Sequence, residues 1–236
     1  MATFVLVHGS CHGGWCWKKV TPLLRKYGYD VYFPTLTGLG ERSHLVSKDI
    51  DLYTHIHDIT QVLEYEDLSK VILVGHSYGG LVIGGVAEAI PDKIKRLVYL
   101  DAYIPQDNKS AFDIVPGLET IYRERVLKER GREWLVASYK AEEFGVTNRV
   151  DIRWMNTRLS PMPWHTHDKA IRITNPKAKR LPKSYISCTE FGASQFKAQK
   201  SPATDWDYHE LKTGHDAMIT IPNELAQLLQ TLVKTS

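Results

Sequence analysis

Apolar positions along the chain fall into two kinds of run, and the two alternate. Phe4 to His8 is short, apolar and ended by Gly9, which reads as a buried strand. Apolar spacing typical of a helix follows from Cys16 to Tyr27. Val31 to Phe33 is a second strand closed by Pro34, and Leu52 to Glu66 has the spacing of an amphipathic helix. Val71 to Val74 and Leu97 to Leu100 are further strands, with a helix from Leu81 to Ile90 between them. Tyr185 to Cys188 and Tyr208 to Leu211 are the last two strands, and Pro222 to Val233 closes the chain as a helix. Strand followed by helix, repeated, predicts an α/β fold with a mainly parallel sheet of about six strands and helices on both faces. Near-continuous apolar strands imply burial on both sides.

From about Pro105 to Pro182 that rhythm stops. The stretch carries charged helical segments such as Glu119 to Arg132, scattered aromatics (Trp134, Tyr139, Phe144, Trp154, Trp164) and a proline-marked loop at Ser160 to Pro163, with no obvious strand pattern. It reads as a helical lid, or cap, at 105–182 inserted into a core made of 1–104 and 183–236. A second helical layer with no gating role is the alternative.

Composition narrows the function. Of 236 residues, 43% are hydrophobic and 24% charged, enough for a normal core, and the net charge of +3 gives no reason to expect nucleic acid or an anionic membrane as partner. The three cysteines, Cys11, Cys16 and Cys188, cannot make a disulfide framework. They show no zinc spacing, so no metal or cofactor is expected. The opening MATFVLVHGS lacks the features of a signal peptide, and no run approaches the length of a membrane span. A cytoplasmic protein is the expectation.

Gly75-His76-Ser77-Tyr78-Gly79 follows the strand VILV and precedes a helical run. A serine in that setting sits on a turn tight enough to strain its backbone, exposes its hydroxyl at the top of the sheet, and has a helix N-terminus behind it that favours negative charge. Ser77 is therefore the candidate nucleophile. A tetrahedral intermediate needs two backbone N–H donors. Tyr78, next after the serine, supplies one, and Ser10, in the loop His8 to Trp15, is the best candidate for the other. His8 is expected to hold that loop by hydrogen bonding, and His12 to line the pocket; metal binding by the two is not expected.

The base is expected at His215, in Thr213-Gly214-His215-Asp216 directly after the last strand, because an imidazole there can reach the serine from the same sheet edge and exchange a proton near neutral pH. His55 and His57 lie on a helix, His165 and His167 in the insertion, and His209 within a strand. The acid that orients the imidazole has two candidates at strand ends, Asp101 and Glu190, with position favouring Asp101. Asp205 and Asp207 stand before the last strand at the wrong edge, and Asp216 is badly placed to bond the neighbouring ring.

Taken together, FVLVHGSCHGGWCW, VILVGHSYGG and GHDAM resemble the α/β-hydrolases, in the branch of plant methylesterases, hydroxynitrile lyases and bacterial carboxylesterases acting on pyrethroid-like esters. The resemblance is close over the first hundred or so residues, moderate over the last fifty and loose in the insertion. It implies an α/β-hydrolase fold and a serine hydrolase that cleaves a carboxylic ester through Ser77, His215 and an acid, by way of an acyl-enzyme; the aromatics of the insertion add the expectation of a small-molecule ester with a medium-sized apolar acyl or alcohol group. A homodimer is compatible with it. Two departures matter. The plant enzymes carry their acid in a CTED-like segment, which here reads Cys188-Thr189-Glu190-Phe191, and they have alanine where this chain has Asp101. The bacterial sequences with LDA at this point are the nearer match, which strengthens Asp101. The lyases use a threonine in the N-terminal loop and a lysine after the histidine; here those positions are Gly9 and Asp216, so cyanohydrin cleavage is not expected. A lactonase, with the same chemistry, a ligand receptor that keeps a hydrolase pocket, and an interaction protein with an inert site are the rival readings.

Overall fold

The computed structural model describes residues 2–191 and 206–234. Six strands form the main sheet: β1 (Thr3–Val7), β2 (Asp30–Tyr32), β3 (Val71–His76), β4 (Ile94–Leu100), β7 (Lys183–Cys188) and β8 (Asp207–Leu211). They lie in the order β2-β1-β3-β4-β7-β8, and each pairing is parallel. β3 is buried at every position, which is why it reads as an unbroken apolar run instead of an alternating one.

Successive side chains of each strand feed opposite cores. Val5, Val7, Leu73 and Tyr99 face the layer of α2 (Leu52–Tyr65) and α3 (Gly79–Ala89). Phe4, Leu6, Ile72, Val74, Val98 and Leu100 face α1 (Thr21–Lys26) and the closing helix Pro222–Lys234, whose Leu225, Leu229 and Leu232 pack onto them. The helix expected from Cys16 to Tyr27 is in fact two pieces, a 3-10 turn at Gly14–Lys19 and then α1. Pro22 explains the break: it has no N–H to donate and is accommodated in the first turn of a new helix.

In register, Val7 pairs with Gly75, Gly75 with Tyr99, and Tyr99 with Tyr185. β1, β3 and β4 therefore end level with one another. Because β2 and β3 flank β1 on opposite sides, the loops after β1 and β3 diverge there, leaving a crevice at the carboxyl edge where open α/β sheets bind ligands.

The stretch between β4 and β7 contains short helices, Ala111–Ile114, Leu118–Arg125, Arg149–Asn156, His165–Asp168 and Pro176–Arg180. It also contains a small antiparallel pair, β5 (Leu135–Val136) with β6 (Met162–Pro163), that the sequence pattern does not reveal. The charged helix starting near Glu119 ends at Arg125 instead of continuing to Arg132.

Candidate active site

Ser77 sits at the turn between β3 and α3 with φ of 54°, the left-handed region that L residues other than Asn and Asp rarely adopt. Close approach around it is enforced by glycine. A Cβ on Gly75 would lie 2.5 Å from the Gly79 carbonyl oxygen, and one on Gly9 would lie 2.8 Å from Ser77 Cβ. The bend is held by Ser77 N–H donating to Leu100 O (3.2 Å), while Ser77 O accepts from Gly80 N (3.0 Å) and Tyr103 N (3.0 Å).

His215 Nδ1 lies 2.7 Å from Asp101 Oδ2, with both side chains almost wholly buried. Asp101 is itself fixed: its N–H donates to Ile186 O (2.7 Å) and its Oδ1 accepts from Cys188 N (3.2 Å). Glu190 is exposed and lies on the rim of a cavity that Ser77 and His215 also line. Phe191, at the position where the plant sequences have the acid, stacks on the His215 ring at 4.5 Å. Asp207 ion-pairs with Arg96, and Asp205 lies outside the described residues.

The N–H groups of Ser10 and Tyr78 donate to no acceptor among the described residues. His8 does hold the loop: Leu36 N–H donates to its Nε2 (3.0 Å) and its Nδ1 donates to Gly9 O (2.9 Å). Burial pushes the His8 pKa down to about 3, so the ring is neutral, as that pattern requires. Tyr78 is anchored below the turn, its hydroxyl donating to His55 Nδ1 (3.0 Å) while His55 Nε2 donates to Thr37 O (2.9 Å).

His12 does not line the cavity. It is 1% exposed, donates from Nδ1 to Ser10 O (2.7 Å), and places Nε2 3.3 Å from Asp216 Oδ2. Both ring nitrogens face acceptors, which suits an imidazolium. Burial opposes that charge, but Asp216 and the bond to Ser10 O together outweigh it and hold the His12 pKa above the ordinary imidazole value. Asp216 is likewise held below the usual carboxylate range: burial works against its charge, and His12, His76 and His215 together outweigh it. Asp216 thus bonds the loop after β1 and not the ring beside it in sequence. The His76 ring packs between, its Nε2 3.2 Å from His215 O and 3.5 Å from Asp216 Oδ1. These partners are far apart along the chain and share no local spacing that could have announced them.

A cavity of about 400 Å3 opens over this edge, lined by Ser10, Ser77 and His215 from the core and by Leu118, Tyr122, Tyr139 and Phe144 from the insertion. His215 N–H donates to Phe144 O (2.9 Å), tying the insertion to the loop that carries the imidazole. A larger hollow of about 800 Å3 runs along β2 past Arg25, Tyr29 and Glu66, but among the described residues no serine, cysteine or histidine lines it. Cys11, beside Ser10, is buried, and burial pushes its thiol up to about 12, far from a thiolate.

Residues 4–228 match the alpha/beta hydrolase family. The chain is 37% identical to a carbendazim hydrolyzing esterase of Nocardioides sp. (strain SG-4G), over 98% of this chain and 100% of that protein. It is 27% identical to Methylesterase 10 of Arabidopsis thaliana, over 97% of this chain and 90% of that one. Among solved structures, it is similar to an extracellular alpha/beta-hydrolase from a Paenibacillus species, with a TM-score of 0.82, 25% identity and 98% of each chain covered.

Proposed function

The chain belongs to the alpha/beta hydrolase family and is a hydrolase of the carboxylesterase type, and on that premise we propose that it cleaves small-molecule carboxylic esters by two-step acyl transfer through Ser77, His215 and Asp101. The observation that carries this reading is the 2.7 Å contact between His215 Nδ1 and Asp101 Oδ2. A carboxylate there fixes the tautomer that leaves Nε2 as the proton acceptor and stabilises the ring once it is charged.

Ser77 Oγ attacks the ester carbonyl as His215 Nε2 takes its proton. The carbonyl oxygen, now an oxyanion, accepts from the free N–H groups of Ser10 and Tyr78, donors already in place before charge develops. His215 returns the proton to the leaving alcohol. Water, deprotonated by the same nitrogen, then releases the acid and restores Ser77. The N-terminus of α3 adds a favourable field at the oxyanion.

Aromatic residues of the insertion, Tyr122, Tyr139 and Phe144, with Phe191 from the core, support an apolar acyl or alcohol group and a lid role for 105–182. The methylesterase among the relatives favours a small alcohol as leaving group. The test is a series of 4-nitrophenyl esters of rising chain length, run beside a methyl ester and a lactone. Turnover of open esters with a burst of 4-nitrophenol is expected. Absence of turnover on every ester, with tight binding of a ligand, would favour the receptor reading instead.

A further inference from the structure

Two hydroxyls at the cavity wall compete for a single acceptor. His167 is fully buried under the cavity, stacked on Tyr78 at 4.7 Å. Thr166 Oγ1 donates to Pro163 O (2.6 Å), so at its 2.8 Å contact with His167 Nδ1 it accepts, and Nδ1 carries the ring proton. Burial pushes the His167 pKa down to about 3, which keeps the ring neutral. Nε2 then offers one lone pair. Tyr122 OH lies 2.8 Å from it and Ser10 Oγ 3.1 Å from it.

Only one of the two can donate there. Among the described residues, the only other acceptor for the remaining hydroxyl proton is the first hydroxyl's oxygen, 3.5 Å away and well beyond the usual range for an O–H donor. Both residues line the cavity that holds Ser77 and His215. Ser10 also supplies a backbone N–H for the oxyanion in the mechanism above, so its side chain lies close to where the scissile carbonyl must sit.

We propose that this surplus hydroxyl proton is presented to the substrate, and that the site selects esters carrying a hydrogen-bond acceptor atom on the carbon next to the scissile carbonyl. The proposal rests on the ester-hydrolase reading and narrows its substrate class. An acceptor at that point takes the spare proton, whereas a methylene in its place leaves a buried donor unpaired, a penalty that discriminates well between near-isosteres.

Methyl methoxyacetate and methyl butanoate differ only in an oxygen for a methylene at that point, and so make a matched pair. The quantity to measure is the ratio of their kcat/KM values in the wild type, Ser10→Ala and Tyr122→Phe. The intrinsic reactivity difference between the esters is common to all three proteins and cancels. Removing either hydroxyl lets the survivor satisfy His167, so each variant should lose roughly three- to tenfold of the preference for methoxyacetate. The double variant should lose no more than either single one. If one variant fails to fold, the other still reads the same proton. A ratio equal to that of the wild type in a folded variant overturns the proposal and leaves the ester reading standing. Hydrolysis of neither ester by the wild type overturns both.

Discussion

Asp101 holds His215 from the end of β4, Oδ2 to Nδ1 at 2.7 Å, while its own backbone and second oxygen are bound to β7. The carboxylate is therefore positioned by two strands at once, which is what orientation of an imidazole demands. Asp101→Asn keeps the shape but offers an amide where a carboxylate is needed. It should lower kcat by about 10³- to 10⁴-fold. Glu190→Gln alters an exposed rim residue and should change kcat by less than about tenfold. Steady-state kinetics on one ester decides between them, and the reverse ranking would move the acid to Glu190.

Ser77 has φ of 54°, a conformation that costs an L residue about 1 kcal/mol and glycine almost nothing. Both Ser77→Ala and Ser77→Gly should abolish hydrolysis. Ser77→Gly should be the more stable of the two by up to about 1 kcal/mol, offset in part by the greater freedom of glycine in the unfolded chain. Urea titration of the two inactive proteins measures this. Ser77→Ala at least as stable as Ser77→Gly would mean that the strain at the bend does not exceed that entropic offset.

Much of this was legible in the sequence because the signals are local. Buried parallel strands announce themselves as apolar runs, so the core strands fall within a few residues of where the pattern puts them. Ser77 lies inside a motif whose strand-before, helix-after setting is itself visible. Asp101 and His215 could be expected at one edge because each follows a strand, and parallel strands put their carboxyl ends together. The His12–Asp216 pair escaped, since nothing near either residue marks the other. His167 escaped for the same reason: its role depends on the insertion folding back over Ser10. β5 and β6 are too short to leave a periodicity.

The His12–Asp216 pair has a pH signature. The His12 pKa is raised on folding, so its contribution to stability is complete below about pH 6.5 and is lost as pH rises through the raised value. The Asp216 pKa is depressed, so its contribution is complete above about pH 4 and is lost as pH falls through the depressed value. The pair is therefore worth most between about pH 4 and 6.5. Asp216→Asn should cost about 3 kcal/mol in that window, because it strands a buried cation. The gap to the wild type should narrow toward pH 9. Urea unfolding of both proteins at pH 5, 7 and 9 checks it, and a gap that does not change with pH would rule out a charged pair.

The identity of the nucleophile is tested most directly by covalent capture. A 4-nitrophenyl phosphonate ester, added in slight excess and followed by intact-protein and peptide mass spectrometry, reports which atom attacks. The expected result is one phosphonyl group per chain, on Ser77, formed in step with loss of esterase activity and absent from Ser77→Ala and strongly slowed in His215→Ala. Inactivation with the label on Ser10 or another residue, or full labelling of a protein that still turns over esters, would contradict the mechanism.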